Sequence, residues 1–183
     1  AATLATNWTN LNATGQDLTI TSGVFNISSF NLTVNDTLTI NGQLDQGTGN
    51  VVTGATGEIT VGSAGIWMNN SSGDITIGAT GDGVANAGYI RLDGGGPACG
   101  DTDDISIATT TAGTQRTWSG AGTYILIDLT VRDAGGTLTA YSSTNTSNNT
   151  WTFDSNCPTY SNRNMTIIQG GTTIQGGTSI ISN

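Results

Sequence analysis

The chain has no histidine and no lysine, and its 183 residues carry four cations, Arg91, Arg116, Arg132 and Arg163. The first absence removes the commonest general base and the Ser-His-Asp triad; the second removes Schiff-base nucleophiles. Thirteen acidic residues give a formal net charge of -9. A nucleic-acid partner needs a basic patch to neutralise phosphates, and anionic lipid needs the same, so neither is expected. Charged residues make up only 9% of the chain, against about 25% in ordinary soluble domains. The surface must draw its polarity from Thr, Ser, Asn and Gly instead. Long hydrophobic runs are also missing: none approaches the ~20 residues needed to span a bilayer. The sequence begins at Ala1 with no Met, basic n-region or hydrophobic h-region. That pattern is expected of a chain whose signal peptide has been removed, or of an excised fragment.

Helical periodicity is almost absent too. What recurs is a short alternating strand followed by a turn. "LTI" at Leu18, "TLTI" at Thr37, "EITV" at Glu58, "GIWM" at Gly65, "DITI" at Asp74, "YIRL" at Tyr89 and "DISI" at Asp104 all follow this form. Leu18/Ile20, Leu38/Ile40, Ile59/Val61 and Ile75/Ile77 alternate with Thr, a period of two that buries one face and wets the other. Gly and Asn supply the corners, as in Asn41-Gly42. The step from Leu18 to Leu38 to Ile59 is near-constant, and later steps to Ile75, Ile90 and Ile105 are shorter. Such periods are what stacked β-coils produce, each coil burying its apolar face against the next. The predicted fold is all-β, a right-handed parallel β-helix, with an antiparallel sandwich or jelly roll exchanging strands between subunits as the alternative.

Residues 1–93 are expected to form regular coils and 94–164 a less regular section with loop insertions. "GTYILIDLTVRDAGGTLTAY" within it holds the longest strand signal, with Ile125, Ile127, Leu129 and Val131 read as its core face. "SSTNTSNNT" from Ser142 reads as a polar loop. The closing stretch, 165–183, spaces Ile168, Ile174 and Ile180 by Gly-Gly pairs. It is expected to form ordered strands that cap the solenoid or pair with a neighbouring subunit. The N-terminal "AATLATNWTN" is uncharged and Thr-rich, and could be a strand donated to another copy.

Two compartment signals point outward. Cys99 and Cys157 are too far apart in sequence to suggest a metal motif. A disulfide between them would contribute roughly 4 kcal/mol by restricting the unfolded chain; two free buried thiols are the alternative. The sequon N-x-S/T occurs at Asn7, Asn12, Asn26, Asn31, Asn35, Asn69, Asn70, Asn145, Asn148 and Asn164. An acceptor Asn must be surface-exposed in a secreted protein.

"FNLTVNDTLTINGQL" (30–44) resembles the repeats of right-handed β-helical surface proteins and adhesin passengers. The segment 122–153 and the closing "IQGGTTIQGG" are similar to Thr/Asn-rich extracellular proteins of bacteria and archaea. The resemblance covers about half the chain in repeat texture and carries over no functional residue. It implies an extracellular structural or adhesive role at the cell surface.

No catalytic residues and no organic cofactor are expected. Asp101, Asp103 and Asp104 sit in a Gly-rich loop that could hold Ca²⁺ through oxygen ligands, although the EF-hand spacing is not met. Trp67, between Ile66 and Met68, could lie on the outer face as a sugar contact, but core or coil-cap packing is the preferred reading. The expected function is that of an extracellular filament or adhesin subunit that self-associates through strand edges. A carbohydrate-binding module is the rival, and a polysaccharide-degrading enzyme the third reading.

Overall fold

The computed structural model describes residues 1–94 apart from 11–14, residues 105–156, and two short strands at 166–168 and 172–174. Twenty-one strands lie in three parallel sheets of eight, seven and six strands. The chain visits the three sheets in turn, which makes a right-handed parallel β-helix, the hand that parallel crossovers require.

Face A comprises Ala2–Thr3, Val24–Asn26, Gln43–Asp45, Ile66–Asn69, Tyr89–Asp93, Thr123–Ile127, Thr139–Tyr141 and Thr152–Asp154. Face B comprises Trp8–Asn10, Leu32–Val34, Val51–Thr53, Ile75–Ile77, Ile105–Thr109, Leu129–Arg132 and Thr144–Ser147. Face C comprises Leu18–Ile20, Thr37–Ile40, Glu58–Val61, Val84–Asn86, Arg116–Ser119 and Ala134–Gly135.

Alternation fixes which side chains enter the core, and parallel register stacks them into columns. On face A, Phe25, Leu44, Trp67, Ile90 and Tyr124 align. On face B, Trp8, Leu32, Val51, Ile75, Ile107 and Val131 do the same. Leu18, Leu38, Ile59, Val84 and Trp118 make the face C column. Most of these residues are fully buried. Burial of each aliphatic side chain is worth about 1.5–3 kcal/mol. Trp67 and Trp118 stack inside at 6.3 Å between ring centroids, and Trp151 meets Trp118 edge-on at 5.4 Å.

Leu18, Leu38 and Ile59 are true coil-to-coil neighbours. Ile75, Ile90 and Ile105 are not their successors: they lie on faces B, A and B. The shorter steps therefore measure passage between faces rather than a shrinking coil. Real coil lengths vary. Val24 sits beside Gln43, 19 residues on; Ile66 beside Tyr89, 23 on; Tyr89 beside Thr123, 34 on; and Ile127 beside Tyr141, 14 on.

The long strand expected around residue 125 is two strands. Asp128 has φ 56°, a left-handed turn that moves the chain from face A to face B and resets the alternation. Tyr124 and Leu126 therefore fall in the core columns of face A, followed by Leu129 and Val131 on face B. Ile125 is on the outer side and half-buried. The turn expected at Ala134 is a short face C strand, and the polar loop after Ser142 contains the face B strand Thr144–Ser147.

Corners require close backbone approach. Gly47 has φ 69°, and a Cβ there would sit 2.5 Å from the Ser28 carbonyl oxygen of the coil below. The N-terminal segment pairs within its own chain. Ala2–Thr3 pairs with Phe25–Asn26, and Trp8–Asn10 with Leu32–Val34, so it forms the first coil of its own chain. At the other end, Thr166–Ile168 pairs antiparallel with Thr172–Ile174, a two-stranded sheet of its own.

Candidate functional site

Trp67 packs in the core, as preferred, and its candidacy as a sugar contact is overturned. It is fully buried, with Leu44 and Ile90 on either side in its column. Its neighbours Ile66 and Met68 hold the outer positions, and the period of two forces the indole inward. Trp67 therefore offers no surface to a sugar. Its Nε1 donates to Gln46 Oε1 at 3.1 Å, inside the helix.

The sequons divide by exposure. Asn7, Asn31, Asn70, Asn145 and Asn148 are exposed or partly so, and Asn26 and Asn35 are half-buried. Asn69 is fully buried, donates from Nδ2 to the Gly73 carbonyl at 2.7 Å, and cannot accept a glycan in the folded chain. Asn12 and Asn164 lie outside the described residues, as do Cys99, Cys157, Asp101, Asp103 and Asp104. Among the described residues no group of three or more His, Cys, Asp or Glu is placed to hold a metal ion.

A polar ladder runs up the corner that enters face B. The Asn31 N–H donates to Asn7 Oδ1 at 2.9 Å, Asn50 N–H to Asn31 Oδ1 at 3.0 Å, and Asp74 N–H to Asn50 Oδ1 at 2.9 Å. The Ser106 N–H continues it to Asp74 Oδ1 at 2.9 Å. The first three rungs each satisfy a backbone donor just before a face B strand begins, and the fourth does so one residue inside the strand Ile105–Thr109. The sequence signal was present, a polar residue directly before each face B column residue: Asn7-Trp8, Asn31-Leu32, Asn50-Val51 and Asp74-Ile75.

The outer side of face A carries a groove of about 640 Å³ that crosses the second, third and fourth coils. Two outward columns form its floor. Asn26, Asp45 and Met68 align in one, and Gln43 and Ile66 in the other. Gln43 is held in place: its Nε2 donates to Asp45 Oδ1 at 2.7 Å and lies 4.0 Å from the Met68 sulfur. Asn26 accepts the Ser28 N–H at 2.7 Å through Oδ1. The rim is the corner between faces A and B, where Ser28 and Gly47 are both left-handed, and Asn70 stands exposed at the top. Pocket volumes of about 300–1,000 Å³ are typical of small-ligand sites.

No protein-family model, curated protein or solved structure matches the chain. The functional reading therefore rests on geometry and chemistry.

The buried charges are held in structural contacts. Arg91 and Asp93 form an ion pair at 2.9 Å, both nearly inaccessible. Among the described residues, Arg91 Nε and Asp93 Oδ1 have no hydrogen-bond partner. Asp133, at φ 63°, accepts the Gly113 N–H at 3.0 Å and the Asn148 Nδ2 at 2.8 Å. Arg132 Nε lies 3.2 Å from its Oδ2, close enough for attraction but out of line for a hydrogen bond. The Tyr124 hydroxyl donates to the Ser119 carbonyl at 2.6 Å, and burial raises its pKa above the usual phenol value.

Proposed function

We propose that the chain is a building block of an extracellular surface filament or adhesin shaft, and that it acts by assembly rather than turnover. The observation that carries this reading is the state of the first coil. Among the described residues, Ala2–Thr3, Trp8–Asn10 and Leu18–Ile20 are each the terminal strand of their sheet, so the first coil offers three strand edges at one level on which a further coil can pair. Trp8 and Leu18 head the apolar columns of faces B and C and are only half-buried there. A coil added on this end would pair three edges and cover both side chains, gaining main-chain hydrogen bonds and about 25 cal/mol per Å² of apolar surface.

Strand edges of this kind are usually blunted by Lys, Pro or a cap, and the first coil contains neither residue. The partner is a second copy, stacked end to end. Because the N-terminal segment already forms the first coil, association uses that coil's open edge and not a donated strand. The accessible sequons at Asn7, Asn31, Asn70, Asn145 and Asn148 suit a glycosylated extracellular surface.

Sedimentation velocity over a wide concentration range, with negative-stain microscopy of the same samples, tests the proposal. Rods that lengthen with concentration are expected, and Leu18→Asp should shorten them. A monomer at the highest attainable concentration would overturn it.

A further inference from the structure

We propose that the face A groove binds a neutral, hydroxyl-rich oligosaccharide. The groove spans three adjacent strands and is rigid, because its floor is the hydrogen-bonded sheet itself. Its chemistry is graded along the helix axis. Ile66 and Met68, half-buried on the fourth coil, present an apolar patch. Asn26, Gln43 and Asp45 on the second and third coils present amide and carboxylate groups. A pyranose ring offers the same pair of surfaces, a C–H face and a rim of hydroxyls.

The polar groups are already oriented. Asp45 uses Oδ1 for the Gln43 amide, which leaves Oδ2 as an acceptor toward the groove. Asn26 gives its Oδ1 to the Ser28 N–H, which leaves its NH₂ as a donor. Fixed donors and acceptors reduce the ordering cost of binding.

Charge selects a neutral ligand. Among the described residues, Asp45 is the only ionisable group in the lining, and no cation joins it there. Arg91, next to Met68 in the same outward column, is buried and paired with Asp93. An acidic saccharide would meet the Asp45 carboxylate with no counter-charge from the lining. The rim also carries Asn70, itself an exposed sequon, so the unglycosylated chain is the form to test.

This site is independent of end-on assembly, and either can fail without the other. The full chain, produced without glycans, is applied to an array of neutral and acidic oligosaccharides, and the strongest neutral binder is titrated by calorimetry. Saturable binding to a neutral oligosaccharide is expected, weakened at least tenfold by Asp45→Ala and by Gln43→Ala at unchanged Tm. Hydrogen exchange of the wild-type chain with that ligand should slow at residues 43–48 and 66–71. No neutral binder, preference for acidic sugars, protection elsewhere on the helix, or indifference to both substitutions would each overturn the proposal.

Discussion

Gln46 is the residue whose removal should reveal most about the interior. It is polar, yet fully buried. Its Nε2 donates to the Gly49, Gly73 and Asp74 carbonyls at 3.0, 2.9 and 3.0 Å, and its Oε1 accepts from Trp67 at 3.1 Å. Gln46→Leu keeps the volume and removes every one of these contacts. Not all the partners are then orphaned. Gly73 O still accepts from Asn69 Nδ2 at 2.7 Å, and Asp74 O from the Val51 N–H at 2.9 Å. The Trp67 indole N–H and the Gly49 carbonyl lose their partner.

A buried group left unsatisfied costs about 1–3 kcal/mol. Two such groups, partly offset by the more apolar side chain, give a destabilisation of roughly 3 kcal/mol. Urea unfolding followed by far-ultraviolet circular dichroism should show a lower midpoint at unchanged slope. The double variant with Trp67→Phe supplies the decisive control. Phenylalanine has no N–H to orphan, so the two losses should be sub-additive by about 1–2 kcal/mol. Weakened stacking on Trp118 enters both backgrounds and cancels. A loss below about 0.5 kcal/mol for Gln46→Leu, or strict additivity in the cycle, would refute the reasoning.

Two glycines should behave differently. A Cβ at Gly65 collides with the Ile40 carbonyl oxygen, which is backbone and cannot yield, so Gly65→Ala should cost about 3 kcal/mol or more by thermal unfolding. Gly113 has φ 83° with nothing near its Cβ, so Gly113→Ala should cost only the left-handed penalty of about 1–2 kcal/mol. Glycopeptide mapping after expression through a eukaryotic secretory pathway should find Asn70 occupied and adjacent Asn69 bare, because only Asn70 is exposed. The raised pKa of Tyr124 sets an alkaline limit. Below pH ~10 both states hold the proton; above it the unfolded chain releases it first, so stability falls as pH rises. Tyr124→Phe should flatten that decline in urea midpoints measured from pH 9 upward.

The sequence made the fold legible where its alternation was clean. Leu18, Leu38 and Ile59 announced a coil because each has an apolar partner two residues on and a small turn residue after it. It misled where a single residue reset the phase. Nothing in "YILIDLTV" marks Asp128 as a corner except that Asp tolerates left-handed backbone better than its neighbours. An unbroken alternation through it puts Ile125 on the core side with Leu129, whereas Ile125 faces outward and is half-buried; Ile127, beside the corner, is buried as expected. Trp67 was ambiguous rather than misread: its flanking residues Ile66 and Met68 are also apolar, so pattern alone left its direction open, and register against Leu44 and Ile90 decided it for the core. The groove was illegible for a related reason. Asn26, Asp45 and Met68 lie on three coils, and unequal coil lengths of 19 and 23 residues hide their column from any fixed period.

The corner ladder bears on how the sequons are to be tested. Asn7 and Asn31 are exposed acceptor candidates, yet their Oδ1 atoms also accept the Asn31 and Asn50 N–H groups of the next coil. A glycan joins through Nδ2 and leaves Oδ1 in place, so modification and ladder are compatible. Replacing Asn31 by Gln removes the glycan site and shifts the carbonyl by one methylene, disturbing two functions together. Thr33→Ala removes the sequon alone, because Thr33 points outward on face B, half-buried, and belongs to no rung of the ladder. If Thr33→Ala leaves the urea midpoint of unglycosylated protein within about 0.5 kcal/mol of wild type while Asn31→Ala lowers it by about 1 kcal/mol, the amide is a structural rung first. Equal effects from the two substitutions would show that the ladder contributes nothing the outward threonine does not.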